Sequence, residues 1–126
     1  MSVDCRMFIG LTVEFARDLK SSDFRKEEAF IEKHPELNMH NYHSEDLEGK
    51  LLLVSDGMCG QFVRLIKVDK FVDGASLGGT NDFMELPMPG QYSPELISTI
   101  EQLYLEYTGK ELDPKDMKYA MWSQWY

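Results

Sequence analysis

A chain of 126 residues with 43% hydrophobic content is long enough for one hydrophobic core and too short for two, so the sequence predicts a single domain over residues 1–126. Its 22 acidic and 13 basic residues give a formal net charge of −9, which disfavours nucleic-acid backbones and anionic membrane surfaces and favours a partner with a basic surface. No stretch approaches the roughly 20 apolar residues of a membrane span, and the first residues lack the pattern of a secretion signal. Together with only two cysteines, these observations predict a cytoplasmic protein with free thiols.

The first predicted elements are a strand, a helix and a loop. Residues 7–15 alternate strictly between two faces, and the apolar odd-numbered positions are typical of a strand whose buried side lies beneath helices. A helix follows, with Ser22 or Asp23 as its N-cap and Pro35 as its stop. Residues 36–49 are polar and show no sustained period, which predicts a loop or an irregular edge segment.

The apolar face of this first helix is thin. Glu27 and Glu28 occupy positions between its apolar residues. If either carboxylate faces the sheet, we expect it to pair with Arg64 or Lys67 or to lie at the helix rim, because an unpaired buried carboxylate is costly.

A β-hairpin is predicted in the middle of the chain. Two β-rich runs, 50–57 and 61–69, flank an Asp-Gly pair, which is a common turn signal between strands. The next stretch, 71–92, is rich in Gly, Asn, Asp and Pro and predicts an irregular insertion. Within it, residues 82–86 can add one short strand.

A second helix and a final strand complete the predicted elements. Residues 93–109 combine Ser93 as N-cap, a proline at the first helical position, an apolar stripe and Gly109 as C-cap. Residues 117–126 carry large groups on both sides, which favours an edge strand. The element order predicts an α+β fold that resembles the ferredoxin-like βαββαβ sandwich: an antiparallel sheet with two helices on one face and an irregular insertion at about 71–92. Such a common architecture implies no function.

Cys59 is the candidate reactive thiol. It lies near Gly57 and beside Gly60, which leave it accessible to a reagent or substrate. Its neighbour Asp56 is acidic and supplies no cation to stabilise a thiolate, so the glycines favour a turn over chemistry. The predicted topology places Cys59 and Cys5 at opposite ends of the sheet, beyond the roughly 7 Å Cα separation that a disulfide allows.

For three further candidate sites, the sequence favours a purely structural role over a functional one. His34, His40 and His43 lack the CxxC or HExxH pattern of a zinc site, which favours a solvated loop. The glycines of residues 73–82 match no phosphate-binding motif and are accompanied by no Lys or Arg, which favours a flexible connection. An RNA-binding sheet needs stacking aromatics in a basic surround, which the net charge opposes. We therefore expect no metal, no cofactor and no nucleic acid.

Aromatic residues are concentrated at the C-terminus. Phe8 and either Trp122 or Trp125 are expected on the sheet face that the helices leave open. Because a large exposed apolar patch marks an interaction site, either a partner or the 71–92 insertion covers this face. A further alternative is that the loop and the chain end complete the core. The candidate binding residues are Phe8, Tyr92, Tyr119, Trp122, Trp125 and Tyr126.

These observations support three hypotheses about function. The first, favoured by the net charge, is a noncatalytic acidic binding module, such as an inhibitor, an immunity-type protein or an adaptor, that meets a basic protein surface. The second is a small-ligand-binding protein or enzyme with a pocket between the sheet and the 71–92 loop, using Cys59, Tyr92 or a histidine. The third is a homodimer that buries the open face or pairs edge strands. No residue has a catalytic assignment, so a noncatalytic protein is favoured over an enzyme.

Overall fold

The computed structural model describes residues 5–57, 61–74 and 83–125. Its helices and longer strands are, in chain order, β1 (Cys5–Arg17), α1 (Ser21–Lys33), β2 (Leu51–Asp56), β3 (Phe62–Asp73), β4 (Phe83–Glu85), α2 (Pro94–Thr108) and β5 (Lys118–Trp125). The strands form an antiparallel sheet in the order β2-β3-β1-β5-β4. The predicted α+β class, with an antiparallel sheet and two helices, is confirmed. Within the described residues, neither helix has the length and apolarity needed to cross a bilayer.

β1 lies at the centre of the sheet, where its alternating sequence predicts a strand. It pairs with β3 on one side and with β5 on the other. The expectation that β5 is an edge strand is wrong, because β4 pairs along its outer side with Phe83 opposite Trp122. The short strand predicted within residues 82–86 is confirmed as β4.

The odd-numbered side of β1 faces both helices, as predicted. Its apolar side chains pack with residues of α1 and α2 and with the matching side of β2 and β3. We call this cluster the helix-side core. Its buried members are Leu11, Val13, Phe15, Phe30, Leu37, Leu53, Val63, Leu65, Ile100, Leu103 and Tyr107.

Both ends of α2 follow the sequence prediction. The Ser93 hydroxyl accepts a hydrogen bond from the Leu96 N–H at 3.2 Å, which satisfies one of the free donors at the start of the helix. Gly109 ends the helix with φ 74°, a left-handed conformation that glycine adopts without steric penalty.

The N-cap predicted for α1 is wrong by two or three residues. The N-cap is Lys20 rather than Ser22 or Asp23. The Asp23 carboxylate still has a capping role, because it accepts a hydrogen bond from the Lys20 N–H at 2.7 Å from within the first turn. α1 ends before Pro35, as predicted.

The loop predicted for residues 36–49 is the main correction to the predicted elements. Three 3₁₀ turns, Pro35–Leu37, Met39–Asn41 and Ser44–Asp46, fold this stretch into compact structure. Met39 and Leu47 are buried by it on the sheet face away from the helices. We call the cluster on that face the far-side core. Its buried members are Phe8, Met39, Leu47, Leu52, Val54, Phe62, Ile66, Val68, Ala120 and Trp122.

The sheet curls around the far-side core. β2 and β5 are separated by two strands in the sheet order, yet their last residues are in contact. The Gln124 side chain donates a hydrogen bond to the Ser55 carbonyl at 2.5 Å, and the Trp125 N–H donates to the Asp56 carboxylate at 3.1 Å. These contacts are possible only because the flanking strands bend toward each other.

At Gly10, the backbone of β1 lies close against that of β3. A shift of register separates the pairing of Ile9 from that of Gly10. A Cβ built on Gly10 would lie 3.0 Å from the Lys67 carbonyl carbon, 3.2 Å from the Asp69 nitrogen and nearer still to the Lys67 oxygen. A glycine inside a strand is typical of a tight bend with close backbone contact, so the curl depends on it.

Of the alternatives expected for a sheet-facing Glu27 or Glu28, pairing with Arg64 does not occur among the described residues. Arg64 lies on the far side of the sheet, where it donates a hydrogen bond to Glu14 at 3.2 Å. Glu27 is half-buried and Glu28 is exposed. Burial raises the pKa of Glu27, and a hydrogen bond with Ser55 partly offsets that rise.

Candidate functional site

Phe8 and Trp122, the predicted centre of an open aromatic face, are buried. They are 0% and 1% exposed, and their rings stack with centroids 4.8 Å apart. Met39 and Leu47, from the stretch predicted as a loop, complete the same core. Of the alternatives for this face, the one observed is that the chain itself covers Phe8 and Trp122, so no partner is needed to bury the pair.

Two other predicted binding residues, Tyr92 and Tyr119, lie half-buried near Asp69. Burial, followed by a hydrogen bond with Asp69, raises the pKa of Tyr119 to about 12. Burial and then the charge of Asp69 also raise the pKa of Tyr92. Trp125 is half-buried at the end of β5. The predicted candidates Cys59 and Tyr126 lie outside the described residues.

The histidines fall into two groups. His40 and His43 are exposed on the 3₁₀ turns, whereas His34 ends α1 at the mouth of a cavity. In the part of the chain that the structure describes, no group of three or more His, Cys, Asp or Glu side chains is placed to hold a metal ion. Of the three histidines, His34 is therefore the one that lies at a cavity.

A cavity of about 550 Å³ lies between α2, the end of α1 and the start of β2; we call it the α2 pocket. Its volume falls within the range of small-molecule sites, roughly 300–1,000 Å³. Leu37, Leu51 and Leu103 form its apolar floor. Its polar and charged lining residues are His34, Glu36, Tyr42, Lys50, Thr99, Gln102 and Glu106.

His34 lies between two carboxylates at the rim of the α2 pocket. Its Nε2 contacts a carboxylate oxygen of Glu106, and its Nδ1 lies 3.5 Å from Glu36. Lys33 Nζ lies 2.5 Å from the other Glu106 oxygen. The hydrogen bonds from Lys33 and then from His34 hold the pKa of Glu106 below its usual range. Glu106 is therefore ionised at neutral pH and anchors a polar edge above the apolar floor.

The local sequence explains how His34 reaches this position. A residue that precedes proline is disfavoured in the helical conformation, and His34 adopts φ −125° and ψ 69° before Pro35. Its ring packs against Phe30, one turn earlier in α1, with centroids 4.7 Å apart. The chain then turns, so that Leu37 enters the helix-side core, and both His34 and Leu37 line the α2 pocket.

Sequence patterns identified His34 as a candidate ligand but did not connect it with Glu106. The two residues are 72 positions apart, and their contact depends on how α1 packs beside α2. The available signal was local: Glu106 follows Leu103 by three positions on α2, so it borders the apolar stripe of that helix. Among residues 71–74 and 83–92, the part of the predicted insertion that the structure describes, none lines the α2 pocket.

The α2 pocket is suited to binding an amphipathic molecule. The leucine floor can take an apolar body, and the rim can take a polar head group. Lys50 Nζ lies 5.0 Å from the centroid of the Tyr42 ring, so this lysine is engaged with an aromatic face. No protein-family model matches the chain, and no curated protein or solved structure is significantly similar to it.

Proposed function

We propose that the protein binds a small amphipathic molecule in the α2 pocket. The observation that carries this proposal is a cavity of about 550 Å³ with three leucines beneath a charged rim. Burial of apolar ligand surface supplies binding free energy at about 25 cal/mol per Å² removed from water. Apart from His34, the charged lining residues in the described part of the chain are Glu36, Glu106 and Lys50. Lys33 pairs with Glu106, and Lys50 packs against Tyr42. The exposed carboxylate of Glu36 is therefore the feature that favours a ligand whose head group is a basic amine.

A matched pair of probes tests the ligand class. Phenylbutylamine and phenylbutyrate share an apolar body and differ in the charge of the head group. We expect the amine to bind in titration calorimetry and to shift the amide NMR signals of Leu37, Leu51 and Leu103. Binding of the carboxylate alone would reverse the assignment of the head group. Saturable binding of neither probe, nor of alkylamines with longer chains, would overturn the proposal.

Two tryptophan substitutions on α2 supply the control. Gln102 is exposed and lines the α2 pocket, so Gln102→Trp places an indole in the cavity without removing core atoms. Ser98 is exposed on the same helix but is not among the lining residues, so Ser98→Trp adds the same group elsewhere. Gln102→Trp should abolish binding of the amine and Ser98→Trp should leave it unchanged. Equal effects of the two variants would place the probe outside the pocket.

A second candidate function, an acidic protein-binding module, is favoured by the β4 edge. Met84 and Met88 are 49% and 48% exposed, and β4 is the outermost strand on its side of the sheet within the described residues. Exposed methionines suit adaptable binding surfaces, and an unpaired strand edge can accept a further strand. Because the chain has a formal net charge of −9, the partner we propose is a basic extended segment of another protein.

A lysine-rich, strand-forming peptide tests this second function. It should bind at low salt and bind less tightly at high salt, because screening weakens the charge attraction. Met84→Lys should abolish binding, because it adds a cation where the lysine-rich strand must dock, whereas Leu105→Lys, at an equally exposed apolar residue of α2, should not. A dimer in light scattering that Met84→Lys disrupts would assign the edge to self-association instead. A monomer that does not bind the peptide would contradict both roles of β4.

We infer further that the fold is a ferredoxin-like variant and that the protein is cytoplasmic. The fold inference is supported by the strand order, which reads β2-β3-β1-β5 when β4 is set aside, and by the packing of both helices on one core. β4 is then an addition supplied by the insertion. The two cysteines support the cytoplasmic location. An experimental structure with another strand order would refute the first inference, and cell fractionation tests the second.

A further inference from the structure

Arg64 is a buried cation whose guanidinium has more N–H donors than the surrounding described residues supply acceptors. It is 8% exposed. Its Nη2 donates to Glu14 at 3.2 Å, but its buried Nε finds no acceptor in the described part of the chain. A guanidinium carries five N–H donors, and a buried donor without a partner costs free energy. An acceptor from outside the chain would remove this cost.

Aromatic rings hold the guanidinium of Arg64 in place. Its Cζ lies 4.5 Å from the centroid of Phe83 and 4.9 Å from that of Phe62. Guanidinium groups interact favourably with aromatic faces. The N–H groups of Arg64 that are not hydrogen-bonded to Glu14 are therefore held in a fixed orientation in the absence of a ligand.

A cavity of about 320 Å³ adjoins Arg64; we call it the arginine pocket. It opens where the pairing of β5 with β1 ends at Lys118, while β1 continues to Arg17. Its charged lining residues are Arg17, Arg64, Lys118, Glu14 and Asp116. Among the described residues, the lining therefore holds three cations and two carboxylates and is net positive, on a chain whose formal net charge is −9.

We propose that the arginine pocket binds the oxyanion of a small organic acid or phosphate ester on the guanidinium of Arg64, with Arg17 and Lys118 at its mouth. Carboxylate and phosphate oxygens match the planar donor fork of arginine. Glu14 competes for these donors, because it accepts hydrogen bonds from both Arg64 and Arg17. A bound anion therefore shares these cations with Glu14 or displaces it.

The remaining walls indicate what the oxyanion is attached to. Phe83 and Tyr104 line the arginine pocket, so an aromatic or other apolar body fits beside the anion. In the part of the chain that the structure describes, the arginine pocket and the α2 pocket have no lining residue in common. The proposals for the two pockets can therefore be refuted independently of each other.

Four anions test the arginine pocket: acetate, benzoate, inorganic phosphate and phenyl phosphate. Each is titrated at constant ionic strength, with chloride as the reference anion, and binding is followed by calorimetry and amide NMR. We expect saturable binding that shifts the signals of Arg17 and Arg64. The aromatic member of each pair should bind more tightly than its small counterpart. Comparison of the carboxylates with the phosphates identifies the class of oxyanion.

The test combines variants that should weaken anion binding with one that should strengthen it. Arg64→Lys retains the charge but loses the donor fork, so it should weaken binding by about tenfold or more. Arg17→Gln, at an exposed side chain, should also weaken it, whereas Glu14→Gln removes the competitor and should strengthen it. Arg25→Gln, on the exposed surface of α1, is the control for loss of charge alone and should have no effect.

Two results would overturn the proposal. One is the absence of saturable binding of all four anions at concentrations that saturate ordinary phosphate sites. The other is binding that Arg17→Gln weakens no more than Arg25→Gln and that Glu14→Gln fails to strengthen. Because Arg17 and Glu14 are not core residues, these two variants decide the outcome even if Arg64→Lys does not fold.

Discussion

Replacing Gly10 by alanine tests the curl of the sheet. A Cβ at this position would lie 3.0 Å from the Lys67 carbonyl carbon and 3.2 Å from the Asp69 nitrogen. Since relaxed contacts between such atoms need roughly 3.5–4.0 Å, β3 must move by at least about 0.5 Å. Overpacking a buried site costs about 1–3 kcal/mol, and the cost is higher where the obstructing atoms belong to the backbone. We therefore expect Gly10→Ala to lower the free energy of unfolding by about 3 kcal/mol or more.

Gly90→Ala is the matched control for this change. A Cβ on Gly90 meets nothing within 4 Å, and Gly90 is not among the residues with positive φ. Alanine there should be neutral or should stabilise the protein by about 0.4–1 kcal/mol, because it restricts the unfolded chain. Urea denaturation supplies the midpoint and the m-value for both variants. A Gly10→Ala protein within about 0.5 kcal/mol of wild type, with the same m-value, would refute the close approach of β1 and β3.

Three further substitutions test the helices and the buried titratable groups. Ser93→Ala removes the cap of α2 and should lower the free energy of unfolding by about 1 kcal/mol in urea denaturation; an equal loss from Ser98→Ala, within the helix, would contradict this. Tyr107→Phe removes a buried hydroxyl with no partner among the described residues, so it should be at least as stable as wild type at pH 7. Burial raises the pKa of Tyr107 to about 12 from its ordinary 10.0, so the wild-type protein loses stability as pH rises through this range, and thermal melts should show a smaller loss for the variant. Burial likewise raises the pKa of Glu27 above 4.5, so its ionisation opposes folding at neutral pH. Glu27→Gln should therefore be more stable than wild type at pH 7 and lose that advantage at pH 4. Glu28→Gln, at an exposed residue of the same helix, is the control for removal of one carboxylate, and a gain in stability equal to that of Glu27→Gln would contradict the role of burial.

The elements that could be predicted from the sequence are those specified by local patterns. Residues 7–15 alternate strictly, and Ser93 and Gly109 mark the ends of α2, so the type and bounds of these elements can be predicted from neighbouring residues alone. Residues 36–49 could not be predicted in the same way. Short 3₁₀ turns present no regular apolar face, so Met39 and Leu47 appear as isolated apolar residues in a polar stretch.

The two pockets could not be predicted because both depend on contacts between distant residues. The pairing of Glu14 with Arg64 requires the register of β1 on β3, and that register contains two shifts that the sequence does not reveal. His34 and Glu106 meet only after both helices have packed. In each case the chemical character of the residues was visible in the sequence, whereas their partners were not.

The position of β1 also has a consequence for the order in which the protein is assembled. Cys5 pairs with Trp125 and Thr12 pairs with Lys118, so the central ladder joins segments more than a hundred positions apart in the sequence. Pairings of such high sequence separation form slowly, because a long loop must close before any contact stabilises it. During translation, β1 leaves the ribosome before β5 and stays without this neighbour until β5 is synthesised. Until then the nascent chain exposes the unpaired edge of β1, the kind of segment that chaperones protect.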